Sequence, residues 1–410
     1  MSRDLAQLHI GLALQRVATA TIAFALAAVL LPGVVASASG QTWRTVPAPA
    51  IQGYQAGMNA VACPLRSDCL AVGSVGFQST RSFTQRWNGQ SWSKPTWISI
   101  SGAKVYLDGI SCAGPDDCYA VGGASYPTSS GFSNMLVEHW DGRRWAGASV
   151  PTPTDNSGGG LNSISCPTSR FCMAVGSAVA GNYGSGGFVE LFSNGHWSFS
   201  FPQTEGTPAN AILDAVSCAS PTNCTAVGSY ADGSLGQYPL IDTWDGQTWS
   251  PEAVQEPFGI QSGTLSGISC YRVGNCIAVG SIDTAADVSG VRPIALELHG
   301  SSWLKLVLPS LGGGQVAAQD LWSVSCNSGN NCTAVGHWAS MVPGHYFNTE
   351  KSVVAKWDGS HWSIQPVRQP AELSSLSGVA CTRGLCFAVG SEWRSLSTSS
   401  SSASLIEVLG

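Results

Sequence analysis

Between His337 and Lys351 the sequence gathers His337, Trp338, His345, Tyr346, Asn348, Glu350 and Lys351. Aromatic rings beside polar side chains are the chemistry of a sugar or peptide site, in which the rings stack and the polar groups fix orientation. Trp393 and Arg394, with Tyr126, Tyr183, Tyr230, Tyr238 and Arg292, are candidates to ring the same opening. Trp322 stands where sister segments carry Asn, Asp or Ser, which suits a residue that lines or plugs a central channel. The competing reading is a long loop folding over its own aromatics.

Catalytic sets are sparse. His139, His196, His299 and His361 fall beside tight turns, and Asp141, Asp245 and Asp358 lie in them, where turn geometry accounts for a short acid. Glu350 with Glu392, or Asp283 with Asp287, would make the carboxylate pair of a glycoside hydrolase, but any two acids in neighbouring loops would match as well. A calcium loop from Asp283 to Asp287 is a weaker reading still. No cofactor or metal centre is expected.

These residues sit on a repeat best seen from Leu213 to Trp249: LDAVSC, five residues, CTAVGS, a variable loop, then LIDTWDGQTW. It occurs seven times, beginning near residues 58, 107, 161, 213, 265, 321 and 376. The first strand of each copy (MNAVAC, LDGISC, LNSISC, LDAVSC, LSGISC, LWSVSC, LSGVAC) puts large apolar residues at its first and fourth positions and small ones at its third and fifth. Small residues suit strands that converge on a crowded axis. The second strand carries an unvarying Ala-Val-Gly, and glycine in a strand marks a bend or a close backbone approach. The third and fourth strands flank Asn-Gly or Asp-Gly, the dipeptides of tight hairpins, in WNGQSW, WDGRRW, WDGQTW and WDGSHW. A closing Trp follows in every copy (Trp43, Trp92, Trp145, Trp197, Trp249, Trp303, Trp362), which points to packing rather than ligand binding.

The seventh copy stops at LIEVLG, where its turn should begin, while Gly40-Gln41-Thr42-Trp43 matches Gly246-Gln247-Thr248-Trp249. Residues 40–46 are therefore expected to complete the last blade of an all-β, seven-bladed β-propeller of four-stranded blades spanning 39–410. These repeats resemble those of a secreted, bacterial-type kelch-like propeller such as the galactose oxidase central domain, in the Gly-Gly or Gly-Ser strand end, the apolar third strand and the Trp after the turn. First cysteines recur every 49 to 56 residues, close to the kelch period of about 50. A Cys pair in each copy departs from the usual kelch pattern. A copper site of the galactose oxidase kind would also need an unpaired Cys.

Of 410 residues, 44% are hydrophobic and 11% charged, a composition for a large core and not for disorder. Residues 1–38 read as a signal peptide: Arg3 and Arg16, an apolar run from about Val17 to Leu31, and Ala36-Ser37-Ala38 before cleavage. An uncleaved anchor is the alternative. Losing Arg3, Arg16 and Asp4 takes the formal charge from -6 to -7, and with no basic cluster nucleic acid is excluded as a partner. The 14 cysteines fall into seven local pairs: Cys63 with Cys69, Cys112 with Cys118, Cys166 with Cys172, Cys218 with Cys224, Cys270 with Cys276, Cys326 with Cys332, and Cys381 with Cys386. In an exported chain such constant spacing predicts disulfides. The first-to-second and third-to-fourth hairpins are short and share one face, so function is expected on the opposite face, among the variable second-to-third loops. The expectation is a secreted or cell-surface monomer without catalysis, binding a glycan or an extracellular protein and having no membrane span after cleavage. A secreted glycoside hydrolase or lyase and a purely structural cell-surface protein are the alternatives.

Overall fold

A computed structural model describes residues 42–49, 51, 56–76, 81–126, 133–151, 158–180, 184–202, 210–231, 236–252, 254, 260–284, 290–311, 318–340, 349–369, 371, 373–396 and 399–410. The expected leader, 1–38, lies outside them. The described residues are all-β, in five four-stranded sheets and one eight-stranded sheet. The larger sheet holds the strands of repeats six and seven, joined by one parallel residue pair, Glu350 with Leu373. Its far edge is Arg44–Thr45, which pairs with Ser399–Leu409 through Arg44↔Val408 and Thr45↔Glu407.

The first strands of the repeats are Ala56–Leu65, Lys104–Gly114, Gly159–Thr168, Ile212–Ser220, Ile260–Arg272, Ala318–Ser328 and Leu373–Thr382. Each packs beside the first strand of the next repeat, and Ala56–Leu65 packs against Leu373–Thr382 as well as Lys104–Gly114. The core lies between sheets. Repeats two and three, for example, bury Val121, Val137, Leu161 and Phe188 together, while repeats seven and one bury Phe387, Ile406, Met58 and Phe83.

Every first strand carries a register shift between its first and third motif residues: Met58/Ala60, Leu107/Gly109, Leu161/Ser163, Leu213/Ala215, Leu265/Gly267, Leu321/Ser323 and Leu376/Gly378. A strand with one residue more than its partner must bulge, and the extra residue is re-aimed out of the ladder. The Gly of Ala-Val-Gly pairs with the residue before the bulge, as in Leu161↔Gly176 and Leu213↔Gly228. A Cβ on Gly73, Gly122, Gly176, Gly228, Gly280, Gly336 or Gly390 would sit on a carbonyl oxygen of the bulged strand, that of Gly57, Tyr106, Gly160, Ile212, Thr264, Asp320 or Ser375 respectively. Only glycine fits there. The small third residue answers to the neighbouring repeat, since a Cβ on Gly109, Gly267 or Gly378 would lie 2.9 Å from the Cα of Ser163, Ser323 or Ala60.

The fifth residue does more than stay small. Ser111, Ser165, Ser217, Ser269 and Ser325 each accept through Oγ, at 2.9 to 3.0 Å, the backbone N–H of Cys166, Cys218, Cys270, Cys326 and Cys381 in the next repeat. The series lapses on both sides of repeat one, where Ala380 and Ala62 occupy the position.

Disulfides close all seven first hairpins in the pairing that the spacing predicts. Cys63 is bonded to Cys69, Cys112 to Cys118, Cys166 to Cys172 and Cys218 to Cys224. Cys270 is bonded to Cys276, Cys326 to Cys332 and Cys381 to Cys386. The Cα separations are 3.9 to 4.1 Å. The second member of every pair (Cys69, Cys118, Cys172, Cys224, Cys276, Cys332 and Cys386) is buried, whereas of the first members only Cys166 and Cys218 are. Each bridge thus ties a half-exposed or buried first strand to the interior, and contributes roughly 2 kcal/mol by loop entropy.

In the outer hairpins Asn88, Asp141, Asp245 and Asp358 accept two backbone N–H groups apiece through Oδ1, which lets the following glycine take its positive φ. The N–H groups of His361 and Ser360 pull the Asp358 carboxyl down to about 2. The closing tryptophans pack as expected: Trp43, Trp92, Trp249 and Trp362 are buried, and Trp140/Trp145, Trp244/Trp249 and Trp357/Trp362 meet ring to ring across the hairpin.

Gly228→Ala is expected to destabilise the oxidised protein by about 3 kcal/mol or more, because the blocking atom is backbone and cannot turn away. Guanidinium unfolding of the variant measures it. Ala62→Ser and Ala380→Ser should each add about 1 kcal/mol by extending the serine series across repeat one, read as a higher midpoint at unchanged slope.

Candidate binding site

The seven bulges deliver seven side chains to one place. Asn59, Asp108, Asn162, Asp214, Ser266, Trp322 and Ser377 line a cavity of about 240 Å³ between the first strands. The bulge pairs at the sixth residue of each second strand, such as Gly73 of Asp68–Val75 and Gly336 of Asn331–Ser340, and the cavity runs along the second to fourth motif residues of the first strands. The cysteines line none of it: Cys69, Cys118, Cys172, Cys224, Cys276, Cys332 and Cys386 lie four residues or more before that glycine, beside the first hairpin turns, and their role is structural.

The lining is polar and uneven. Asn59 donates through Nδ2 to the Leu107 carbonyl at 2.8 Å and, at 3.4 Å, to Asp108 Oδ1. Asn162 donates through Nδ2 to the Leu213 carbonyl at 2.9 Å. Asp214 accepts from Thr264 Oγ1 at 2.9 Å. Repeats one to four thus each present an Asn or Asp, and the bonds of Asn59, Asn162 and Asp214 run sideways along the wall. Repeats five to seven present Ser, Trp and Ser. Burial pushes the carboxyls of both Asp108 and Asp214 up to about 6, that of Asp214 in spite of the Thr264 hydrogen bond.

At repeat six the lining meets a second group. The Trp322 ring lies against the His337 imidazole with centroids 4.4 Å apart, and His337 Nε2 is 3.8 Å from Asp320 Oδ2. His337 Nδ1 is buried without a hydrogen-bond partner among the described residues. The strand pairings Ala339↔Glu350 and His337↔Ser352 set Glu350 on the same sheet face as His337. Burial raises the Glu350 carboxyl, which His337 and a hydrogen bond with Ser375 oppose and Asp320 reinforces.

Trp322, His337 and Glu350 are therefore brought together. Trp338 is not: it follows His337 in a strand, so it faces the other side, where it packs against the apolar cluster shared by repeats five and six. The expectation that it faces the same opening is corrected by strand alternation. Trp393 is half-buried and pairs with Leu373 and Ser402. Tyr230 and Tyr238 form a cross-strand pair 5.7 Å apart, and neither they nor Tyr126 and Arg292 line the cavity. His345, Tyr346, Asn348, Tyr183 and Asp287 lie outside the described residues, as does the Arg394 side chain. The charged neighbours that act on Glu350 are His337 and Asp320.

Sequence reasoning passed over Asn59, Asp108, Asn162, Asp214, Ser266 and Ser377. The signal was present: large residues at positions one and four of a strand are out of step with its two-residue period, and only a bulge between them reconciles the two.

Asp108 and Asp214 bind protons more tightly folded than unfolded, since burial lifts them to about 6 from the usual carboxylate range. Between pH 4 and 6 the native state therefore holds the extra protons, and stability falls as pH rises through that window. Asp108→Asn or Asp214→Asn should stabilise the protein by about 2 kcal/mol at pH 7.5 and hardly at all at pH 4. Thermal unfolding at the two pH values checks the sign.

No family model matches the chain, and no curated protein matches it. Among solved structures it is similar to YCF48 bound to D1 peptide, at 14% identity and a TM-score of 0.51, covering 91% of this chain and 98% of that chain. It is also similar to the SapL1 lectin in complex with alpha methyl fucoside, at 12% identity, a TM-score of 0.45 and 78% and 98% coverage. A third is the β-propeller domain of the Trilobed protease from Pyrococcus furiosus, at 8% identity, a TM-score of 0.46 and 82% and 91% coverage. The fold of this chain is propeller-like, all-β, with repeated four-stranded blades and a Cys pair in each.

Proposed function

We propose that residues 39–410 form a secreted, kelch-like seven-bladed propeller that acts as a monomeric, non-enzymatic recognition module for an extracellular protein. Two blades make up the eight-stranded sheet, and the N-terminal strand closes the ring. Support for closure comes from the pairing of Arg44–Thr45 with Ser399–Leu409 and from a buried cluster shared by repeats seven and one. Seven disulfides suit an oxidising compartment. Among the described residues no helix is long and apolar enough to cross a membrane.

The observation that carries the function is Trp322. It is the one large ring at a position otherwise held by Asn, Asp and Ser, and it lines the cavity with the His337 imidazole lying against it. An aromatic anchor braced from behind, with polar groups around it, is the anatomy of a recognition hot spot. A protein of similar fold is bound to a peptide, which favours a protein over a glycan as the occupant. The raised carboxyl of Glu350 beside His337 favours a second reading, a glycoside hydrolase with Glu350 as its acid.

The oxidised secreted protein and a Trp322→Ser/His337→Ala variant, probed on peptide and glycan arrays, separate these. Peptide binding that weakens about tenfold or more in the variant is expected. Binding confined to glycans, or equal in both proteins, would sink the protein-recognition reading. Polysaccharide turnover abolished by Glu350→Gln would establish the hydrolase instead.

A further inference from the structure

We infer that the axial cavity receives a single organic cation, the ammonium or guanidinium of a lysine or arginine side chain presented by the partner. The inference rests on the protein-recognition reading and assigns its central contact.

Seven bulges set one side chain each around the cavity, and their chemistry is sorted by position. Repeats one to four supply Asn59, Asp108, Asn162 and Asp214 in unbroken succession, while repeat six, three places from both repeat two and repeat three, supplies Trp322. The amide donors of Asn59 and Asn162 point along the wall, to the carbonyls of Leu107 and Leu213. Both asparagines keep a carboxamide oxygen, and the two aspartates between and beside them are acceptors when ionised. Among the described residues the lining contains no Lys, Arg or His. Two carboxylates thus share a secluded space with no cationic side chain in its walls, an arrangement whose electrostatic cost a positive guest would relieve. In the same lining the indole of Trp322 is a favoured partner for such a guest, by cation–π attraction.

Size points the same way. About 240 Å³ holds one long side chain and a few waters, at about 30 Å³ of liquid volume each, and not a folded loop. A hard metal ion could also use the oxygens, but it would have no use for Trp322. That difference separates the two guests.

The substitutions have precedents within the ring: Asp108→Asn and Asp214→Asn copy repeats one and three, and Trp322→Ser copies repeats five and seven. Isothermal titration of the oxidised protein at pH 7.5 would compare Nα-acetyl-lysine amide and Nα-acetyl-arginine amide with the neutral Nα-acetyl-norleucine amide. At least one cation should bind about tenfold tighter than norleucine, with the advantage gone in the Asp108→Asn/Asp214→Asn double variant and reduced in Trp322→Ser. Equal binding of norleucine, no saturable binding of either cation, or cation binding untouched by the double variant would overturn the inference. So would calcium that displaces the cation and binds Trp322→Ser as well as wild type. Peptides captured on the array irrespective of basic residues would leave protein recognition standing without this contact, whereas loss of all peptide binding would remove both.

Discussion

Seven carbonyl oxygens lying against seven glycines are the constraint on which the rest of this protein turns. In each repeat the Ala-Val-Gly glycine leaves room for a bulge in the strand beside it, and the bulge turns one side chain out of the ladder toward the shared cavity. A methyl group at that point would collide with backbone rather than with a mobile side chain. The glycine therefore serves the site at one remove. It decides that residues such as Asp108 and Trp322 face a cavity instead of a neighbouring sheet.

Cohesion between repeats comes from repeated small contacts. Neighbouring sheets share apolar clusters, and serine hydroxyls accept backbone N–H groups from one repeat to the next, in the manner of a one-dimensional array whose stability adds unit by unit. Repeat one interrupts this pattern, with alanine on both sides, in the region where Arg44–Thr45 pairs with Ser399–Leu409. Aromatic packing bridges that join, Phe387 lying 5.2 Å from both Trp87 and Trp92. The disulfides act within hairpins and leave the joins between repeats to these weaker forces.

Acids are few, and several are buried. Opposite the Ala of Ala-Val-Gly stand Gln85, Glu138, Glu190, Asp242 and Glu407, all buried in the strands that pair with it. Burial pushes the Glu190 carboxyl up to about 8, so it is mainly protonated near neutrality, while Glu407 keeps a hydrogen bond from Thr45 that ties the N-terminal strand to the C-terminal one. A carboxyl costs less to bury when it can take a proton than when it must stay ionised. The exposed turn acids show the reverse: backbone donors hold Asp141, Asp245 and Asp358 below the usual range. One residue type thus fills two structural roles, according to whether water or backbone N–H groups reach it.

By itself the sequence determined the repeat, its strands, the cysteine pairs, the Asx-Gly turns and the packing tryptophans, because each follows from local rules of spacing, φ and side-chain size. Trp322 was legible as an exception at its position. What tertiary structure alone decided was which side chains meet. Asp108 and Asp214 are about a hundred residues apart in the chain and share a cavity only because the first strands of all the repeats converge. His337 and Trp338 are adjacent in sequence and part company because a strand sends successive side chains to opposite faces. A strand's own sequence records its period and its breaks; the identity of the neighbour across the cavity is a property of the assembled sheets.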